Sequence, residues 1–280
     1  MNEPIFNRRL YLRRRARGAR RFPSHDFLHR RAMADVIDRL ETVTRDFPLS
    51  LFYGAGPLTG MLTPACGVGS VIAADLSNDR LGPEALKVVL DEDQSPFVSE
   101  QFDLIVSLLT LHAVNDPVGA LAQMRRALKP DGLLVAVTFG EETLLSLRTA
   151  FYAAETATTG GVSPRTAPMA SVRDWGAALQ RAGFALPVAD LDRVRVRYAA
   201  PQRLIEDLRG MGETAALARR PRGLSKTTAA ALFARLQAAP AIEFDLVTLT
   251  GWAPHESQQK PLKPGSAAQP LAASVNRFID

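Results

Sequence analysis

The chain has 280 residues, 46% hydrophobic and 22% charged, the balance of a folded protein with a sizeable core. No apolar run is long enough to span a membrane, and the single Cys66 excludes an internal disulfide framework and fits a reducing compartment. The formal charge of +5 is uneven, with eight arginines between Arg8 and Arg21. Such a run suits a nucleic-acid arm, a transit peptide, or a basic, partly solvated helix that docks on an acidic partner or on the domain itself. The last reading is preferred, and no nucleic acid is expected as a partner. Against a transit peptide stand the absence of serine before Ser24, the presence of Glu3, and direct continuation into a helix-like segment.

In chain order, residues 24–45 read as a helix. Ser24 is placed to cap it, Phe27, Leu28, Ala32, Val36, Ile37 and Leu40 recur at helical spacing, and Pro48 ends it. Leu49–Tyr53 is a short apolar run stopped by glycine, as a buried strand would be. Ser70–Leu76, Leu86–Leu90 and Phe102–Leu109 repeat that pattern; Asp75 closes the first of these, and Asp91-Glu92-Asp93 follows the second. Pro117–Leu128 has helical spacing, Lys129–Gly132 closes it with turn chemistry, and Leu133–Thr138 is a fifth buried strand. The second half is less regular. Helices are expected over Glu141–Thr156, Val172–Arg181, 201–209 and 224–237, with a loop over Thr158–Ala170. Strands are expected over Val194–Tyr198 and Ile242–Trp252, and residues 256–274 read as a loose tail.

Strands alternating with helices predict an α/β fold whose parallel sheet is covered on both faces. Ligands of such sheets bind beyond the carboxyl ends of the strands, where strand order reverses. Two glycine clusters compete as the cradle. Gly54-Ala55-Gly56 follows a strand, whereas Gly67-Val68-Gly69 leads into one and is a turn at the opposite edge. An S-adenosylmethionine site needs glycines after the first strand, near a helix N-terminus, so that backbone can approach the ligand. It needs an acid after the second strand for the ribose hydroxyls and an acid after the third for the adenine amino group. Gly54, Ala55 and Gly56, then Asp75 with Leu76, then Asp91 and Glu92, with Ser107 on the fourth strand, fill those places. Asp75 follows Gly54 by about twenty residues, as that geometry requires. The competing reading is a pair of turn glycines and surface acids.

His112 and Asn115, beside Asp116, follow the fourth strand where substrate-facing groups gather, and they are the candidate catalytic residues. A loop histidine bonded to backbone is the alternative. His25 and His29 share a face of the expected helix; a solvated face is preferred to a metal pair, because spacing supplies no carboxylate or thiolate ligand. No metal is expected.

At "SEQFDLIVSLLTLHAVNDPVGALAQMRRALKPDGLLVAVTFGEETLLSLR" the sequence resembles the methyltransferase type 11 group. More closely, it resembles the family of the mitochondrial NADH dehydrogenase (complex I) assembly factor 5 and its bacterial relatives. The segments "IFNRRLYLRRRA", "GGVSPRTAP", "LQRAGF", "EDLRGMGE" and "GWAPHESQQKPLKPGSA" extend the resemblance over nearly the whole chain. It implies a doubly wound, mostly parallel seven-stranded sheet of the Rossmann-like class I methyltransferase kind. Residues 1–45 would be a basic helical segment, 46–255 the domain (core 46–140, insertion 141–240) and 256–280 a tail. It also implies S-adenosylmethionine binding and complex I assembly through hydroxylation of an arginine on the iron–sulfur subunit. His112 and Asn115 match polar residues of the family's corresponding loop.

Three positions depart from the family pattern: Phe52 replaces an acid, Leu58 a third glycine, and Ala113 a tryptophan. A missing charged hydrogen bond costs on the order of 1.5–3 kcal/mol, so weakened or lost cofactor binding is expected. Two other readings stay open: an S-adenosylmethionine-dependent methyltransferase acting on a protein or small molecule, and a non-enzymatic assembly chaperone. The expected location is the bacterial cytoplasm, peripheral to the inner membrane face, with a complex I iron–sulfur subunit as protein substrate.

Overall fold

The computed structural model describes residues 3–54, 56–83, 86–219, 221–238 and 241–259. Seven strands form one sheet: β1 Phe47–Tyr53, β2 Val68–Asp75, β3 Lys87–Val89, β4 Phe102–Leu108, β5 Leu128–Phe139, β6 Ala185–Val196 and β7 Ile242–Trp252. Their order is β3-β2-β1-β4-β5-β7-β6. The first five strands pair in parallel, and β7 runs antiparallel to both β5 and β6. Strand order reverses between β1 and β4, so the crevice expected to hold a ligand opens beyond their carboxyl ends.

Among the described residues the α-helices are α1 Arg8–Gly18, α2 Phe27–Glu41, α3 Pro117–Ala127, α4 Leu145–Thr159, α5 Val172–Arg181, α6 Pro201–Met211 and α7 Lys226–Gln237. Local chemistry starts several of them. Asn7 accepts from Leu10 N at α1, Asp116 accepts from Gly119 N just before Pro117, and Ser171 and Asp174 form a reciprocal capping box at α5. One face of the sheet is covered mainly by α2, α4, α6 and α7, through residues such as Met33, Val36, Leu147, Leu208 and Leu232. The other is covered by α3 and α5 through Leu121, Met124, Trp175 and Leu179. The central strands are buried on both faces, which is why they read as continuous apolar runs.

Several boundaries differ from the sequence reading. The helix expected over 24–45 is α2 alone; residues 19–24 form a 3-10 turn ending at Ser24, Asp26 holds the N-cap position, and Pro48 lies inside β1. Lys129–Gly132 is not a free turn but part of β5, where a register shift against β4 and a positive φ at Asp131 absorb the kink. α4 starts at Leu145 rather than Glu141, after a turn in which Thr143 and Asp245 exchange hydrogen bonds. β6 is much longer than Val194–Tyr198. Its first half carries Pro187 and a register shift, which an edge strand tolerates, and which hid its alternation. Of the expected tail, residues 260–280 lie outside the described residues.

The connection from β1 to β2 matters most for function. Among the described residues no α-helix forms there; two 3-10 turns, Gly56–Met61 and Pro64–Cys66, occupy the connection. Pro57, Gly60, Pro64 and Gly67 break the segment too often for a helix of three turns. The glycine cluster therefore has no helix dipole behind it, contrary to the recipe that singled it out.

Candidate functional site

The carboxyl edge of the sheet gathers the residues that the sequence singled out. Gly54 and Gly56 adopt φ values of +76° and +52°. A Cβ on Gly54 would lie 2.4 Å from the Thr110 side chain and 2.5 Å from the Leu108 carbonyl oxygen; one on Gly56 would lie 2.9 Å from the Arg80 carbonyl oxygen. The protein's own packing thus requires both glycines. Ala55 lies outside the described residues. Gly67 sits at the amino edge, with φ +72° and its carbonyl accepting from Phe47 N at 2.7 Å, as its position before β2 predicts. Phe52 is buried in β1, and Leu58, in place of a third glycine, turns its side chain into the same core.

Asp75 ends β2 with no exposed surface. Its Oδ1 accepts from Ser77 N at 2.8 Å and from Arg15 Nε at 3.1 Å, while its Oδ2 accepts from Arg15 Nη2 at 2.5 Å. Arg15, itself 1% exposed, comes from α1. Its Nη1 donates to Glu213 Oε1 at 3.1 Å and to the Tyr11 hydroxyl at 3.1 Å. Glu213, just beyond α6, also lies 2.9 Å from His112 Nε2. Arg8, one helical face along α1, donates through Nε to Asp91 Oδ1 at 3.0 Å, through Nη1 to the Ala113 carbonyl at 3.0 Å, and through Nη2 to buried Glu92.

Electrostatics follow this geometry. Burial alone would loosen the Arg15 proton, but Asp75, Tyr11 and Glu213 more than reverse that and hold the guanidinium charged. Burial would likewise raise Glu213, yet His112 and Arg15 outweigh it and keep the carboxyl below its ordinary range. Arg80 is the exception. It is buried with its guanidinium carbon 3.3 Å from the centre of the Phe22 ring and one bond, from Nη1 to the Met211 carbonyl. Burial and the nearby Arg15 charge bring it down to about 9.

The remaining candidates divide. Ser107 Oγ lies 3.0 Å from Thr110 Oγ1, both buried, and Leu76 packs in a small cluster with Tyr11 and Ala113. Asn115 does not face a substrate: its Oδ1 accepts from Phe6 N at 2.9 Å and its Nδ2 donates to the Phe6 carbonyl at 3.2 Å. His112 does face a cavity. Its Nδ1 has no partner among the described residues, and a mostly apolar pocket lined by Tyr11, Phe139, Leu144, Met169, Leu208 and Phe244 opens beside it. That pocket is small, about 30 Å³; a second one of about 140 Å³ adjoins it towards Phe151 and Arg165 and shares Leu144, Met169, Leu208 and Glu213 with it, but not His112. The expected solvated pair His25 and His29 is not one. His25 precedes α2 and lies 2.7 Å from Asp207, while His29 is fully buried, edge-on to Phe22 at 4.7 Å. Among the described residues no cluster could hold a metal ion.

Glycines and acids therefore lie where S-adenosylmethionine would need them, but as folded they do not fit it. Asp75 is fully buried beneath Arg15, which donates to both of its oxygens, and the acids after β3 are held by Arg8. Sequence reasoning missed Arg8, Tyr11, Arg15, Glu213 and Arg80. The spacing of positions 8, 11 and 15 puts all three on one helix face, and that was the available signal.

Strand order with β7 reversed, glycines after β1 and acids after β2 and β3 define a domain of the class I methyltransferase type. Residues 51–136 match the family described as Methyltransferase domain. The YcgJ protein of Bacillus subtilis has the same fold, with a TM-score of 0.53 at 14% identity over 81% of this chain and 99% of that one. Mitochondrial arginine-hydroxylase NDUFAF5 of Mus musculus is 36% identical over 94% of this chain and 81% of its own length. That of Danio rerio is 35% identical over 87% and 80%. The chain belongs to the NDUFAF5 arginine-hydroxylase family.

Proposed function

We propose that this protein hydroxylates an arginine on an iron–sulfur subunit of respiratory complex I during its assembly, acting in a bacterial cytoplasm at the inner membrane face. The observation that carries the reading is the similarity to arginine-hydroxylase NDUFAF5 across 94% of this chain and 81% of the relative. The geometry supports it by placing a pocket beside His112 and Glu213, on the substrate side of β4 and β5. The apolar walls of this pocket and of the larger one adjoining it suit the aliphatic stem of an arginine, and Glu213, which lines both, suits the head group. A strain lacking the gene provides the test. Mass spectrometry of the iron–sulfur subunit from that strain should show one arginine lacking an oxygen that the parent carries. A missing methyl group instead would favour the methyltransferase reading. Unchanged modification with failed assembly would favour a chaperone.

A further inference from the structure

The acids that a nucleoside cofactor would use are occupied by the chain itself, through one face of one helix. We propose that α1 is a built-in guanidinium ligand of the nucleoside-binding edge, and that seating of α1 and binding of an adenosine-bearing cofactor are mutually exclusive. The inference is independent of which acceptor the enzyme modifies.

Three observations carry it. The first is chemical mimicry. A ribose presents two adjacent hydroxyl donors to a carboxylate, and Arg15 presents two parallel N–H donors to the same carboxylate, Nε at 3.1 Å and Nη2 at 2.5 Å. Arg8 does the same at the next strand end, reaching both Asp91 and Glu92. With Arg15 seated, Asp75 has three donors on it and no exposed surface, so a ligand cannot reach it.

The second is the fit of the seat. α1 lies against α6 and the turn that follows it without room for a side chain. A Cβ on Gly18 would lie 2.8 Å from the Gly210 carbonyl oxygen, and one on Gly212 would lie 3.0 Å from the Arg15 Cα. Residues just before α1 add a short antiparallel pairing, with Asn7 N donating to the Ala216 carbonyl and Ala218 N to the Ile5 carbonyl, each at 2.8 Å. Asn115 holds Phe6 from the other side. The helix is fixed at several points along its length, as a part of the fold rather than a passing contact.

The third is charge. The side chains of Asp75, Glu92 and Glu213 are each at most 3% exposed and crowd one edge. With α1 seated, two guanidinium groups pair with them; with α1 absent, they become the acceptors that a nucleoside needs. The same carboxylates therefore serve either occupant, and α1 is the one that is covalently present.

The test is titration of the full chain with S-adenosylmethionine by calorimetry, together with hydrogen exchange over residues 8–18. No binding at millimolar ligand, or binding accompanied by loss of protection in α1, supports exclusion. Micromolar binding with α1 protection unchanged overturns it. An Arg8→Gln/Arg15→Gln double variant should bind at least tenfold more tightly than the parent. Equal affinity, or no binding by a folded double variant, overturns the claim that α1 is the barrier. Should the double variant not fold, Asp75→Asn in the full chain decides. A lower Tm and faster exchange across α1 support an acid that anchors the helix, whereas an unchanged Tm and unchanged exchange are the behaviour of an acid reserved for an absent cofactor and overturn the proposal.

Discussion

Replacing Arg15 with methionine tests the buried network at its centre. Methionine keeps most of the side-chain volume, so packing loss is small. What is lost is charge: the Asp75 and Glu213 side chains, at most 3% exposed, are left with no guanidinium between them. Removing one partner from a buried pair costs about 3–5 kcal/mol, because the remaining charge stays uncompensated. In a chain of this size each kcal/mol moves Tm by roughly 2–4 °C, which gives an expected drop on the order of 6–20 °C. Thermal and urea denaturation of the parent, Arg15→Met and the exposed control Arg13→Met measure it. The control, on the solvent side of the same helix, should stay within about 0.5 kcal/mol of the parent. Adding Asp75→Asn to Arg15→Met should recover part of the loss, since one stranded charge is removed with its partner. An Arg15→Met protein as stable as the control would refute the reasoning, because the ion pair would then contribute nothing that burial does not cancel.

Three further outcomes are expected. His29 is buried with neither ring nitrogen partnered among the described residues, and burial, then the charges of Arg80, Arg15 and His112, hold its pKa well below 6.5. Its folded value lies below its unfolded one, so its contribution is complete above pH 6.5 and is lost as pH falls beneath that. Urea titrations between pH 5 and 6.5 should show about 1.4 kcal/mol lost per pH unit from this group, and a His29→Leu variant should lack that slope. Gly18→Ala would gain up to about 1 kcal/mol in helix propensity but drives a Cβ into two backbone carbonyls of α6, at 2.8 and 2.9 Å, which neither can relieve by rotating. A net loss of about 1–3 kcal/mol in chemical denaturation is expected, with earlier proteolysis around α1. Asn115→Ala should cost about 1–3 kcal/mol by leaving the Phe6 backbone unpaired. It should leave the modification of the iron–sulfur subunit intact, measured by mass spectrometry after complementation, because Asn115 faces the N-terminal segment and not the pocket.

The strands and the place of the cofactor edge were legible in the sequence. Buried parallel strands read as apolar runs, and the chain places acids or glycines where such runs stop, so Tyr53, Asp75 and Leu90 marked the right edge before any contact was known. Local signals also set the ends of α5, where the Ser171–Asp174 capping box and the left-handed Gly183 leave little choice. The family was legible for the same reason, because its motifs are contiguous.

Only the tertiary structure decided what the edge holds. The arginine run had the composition of a solvated helix, and nothing local says that Arg8 and Arg15 point inward while Arg13 and Arg17 face water. Periodicity groups Arg8, Tyr11 and Arg15 on one face, but that this face is the inward one needs Asp75, Asp91 and Glu213, which lie 60, 83 and 198 residues from their arginine partners. A side chain's position on a helix face is fixed by local periodicity, but its partner is fixed by where the sheet and α6 bring distant carboxylates. The sequence located the acids; packing of α1 against them determined that their present ligand is the protein itself.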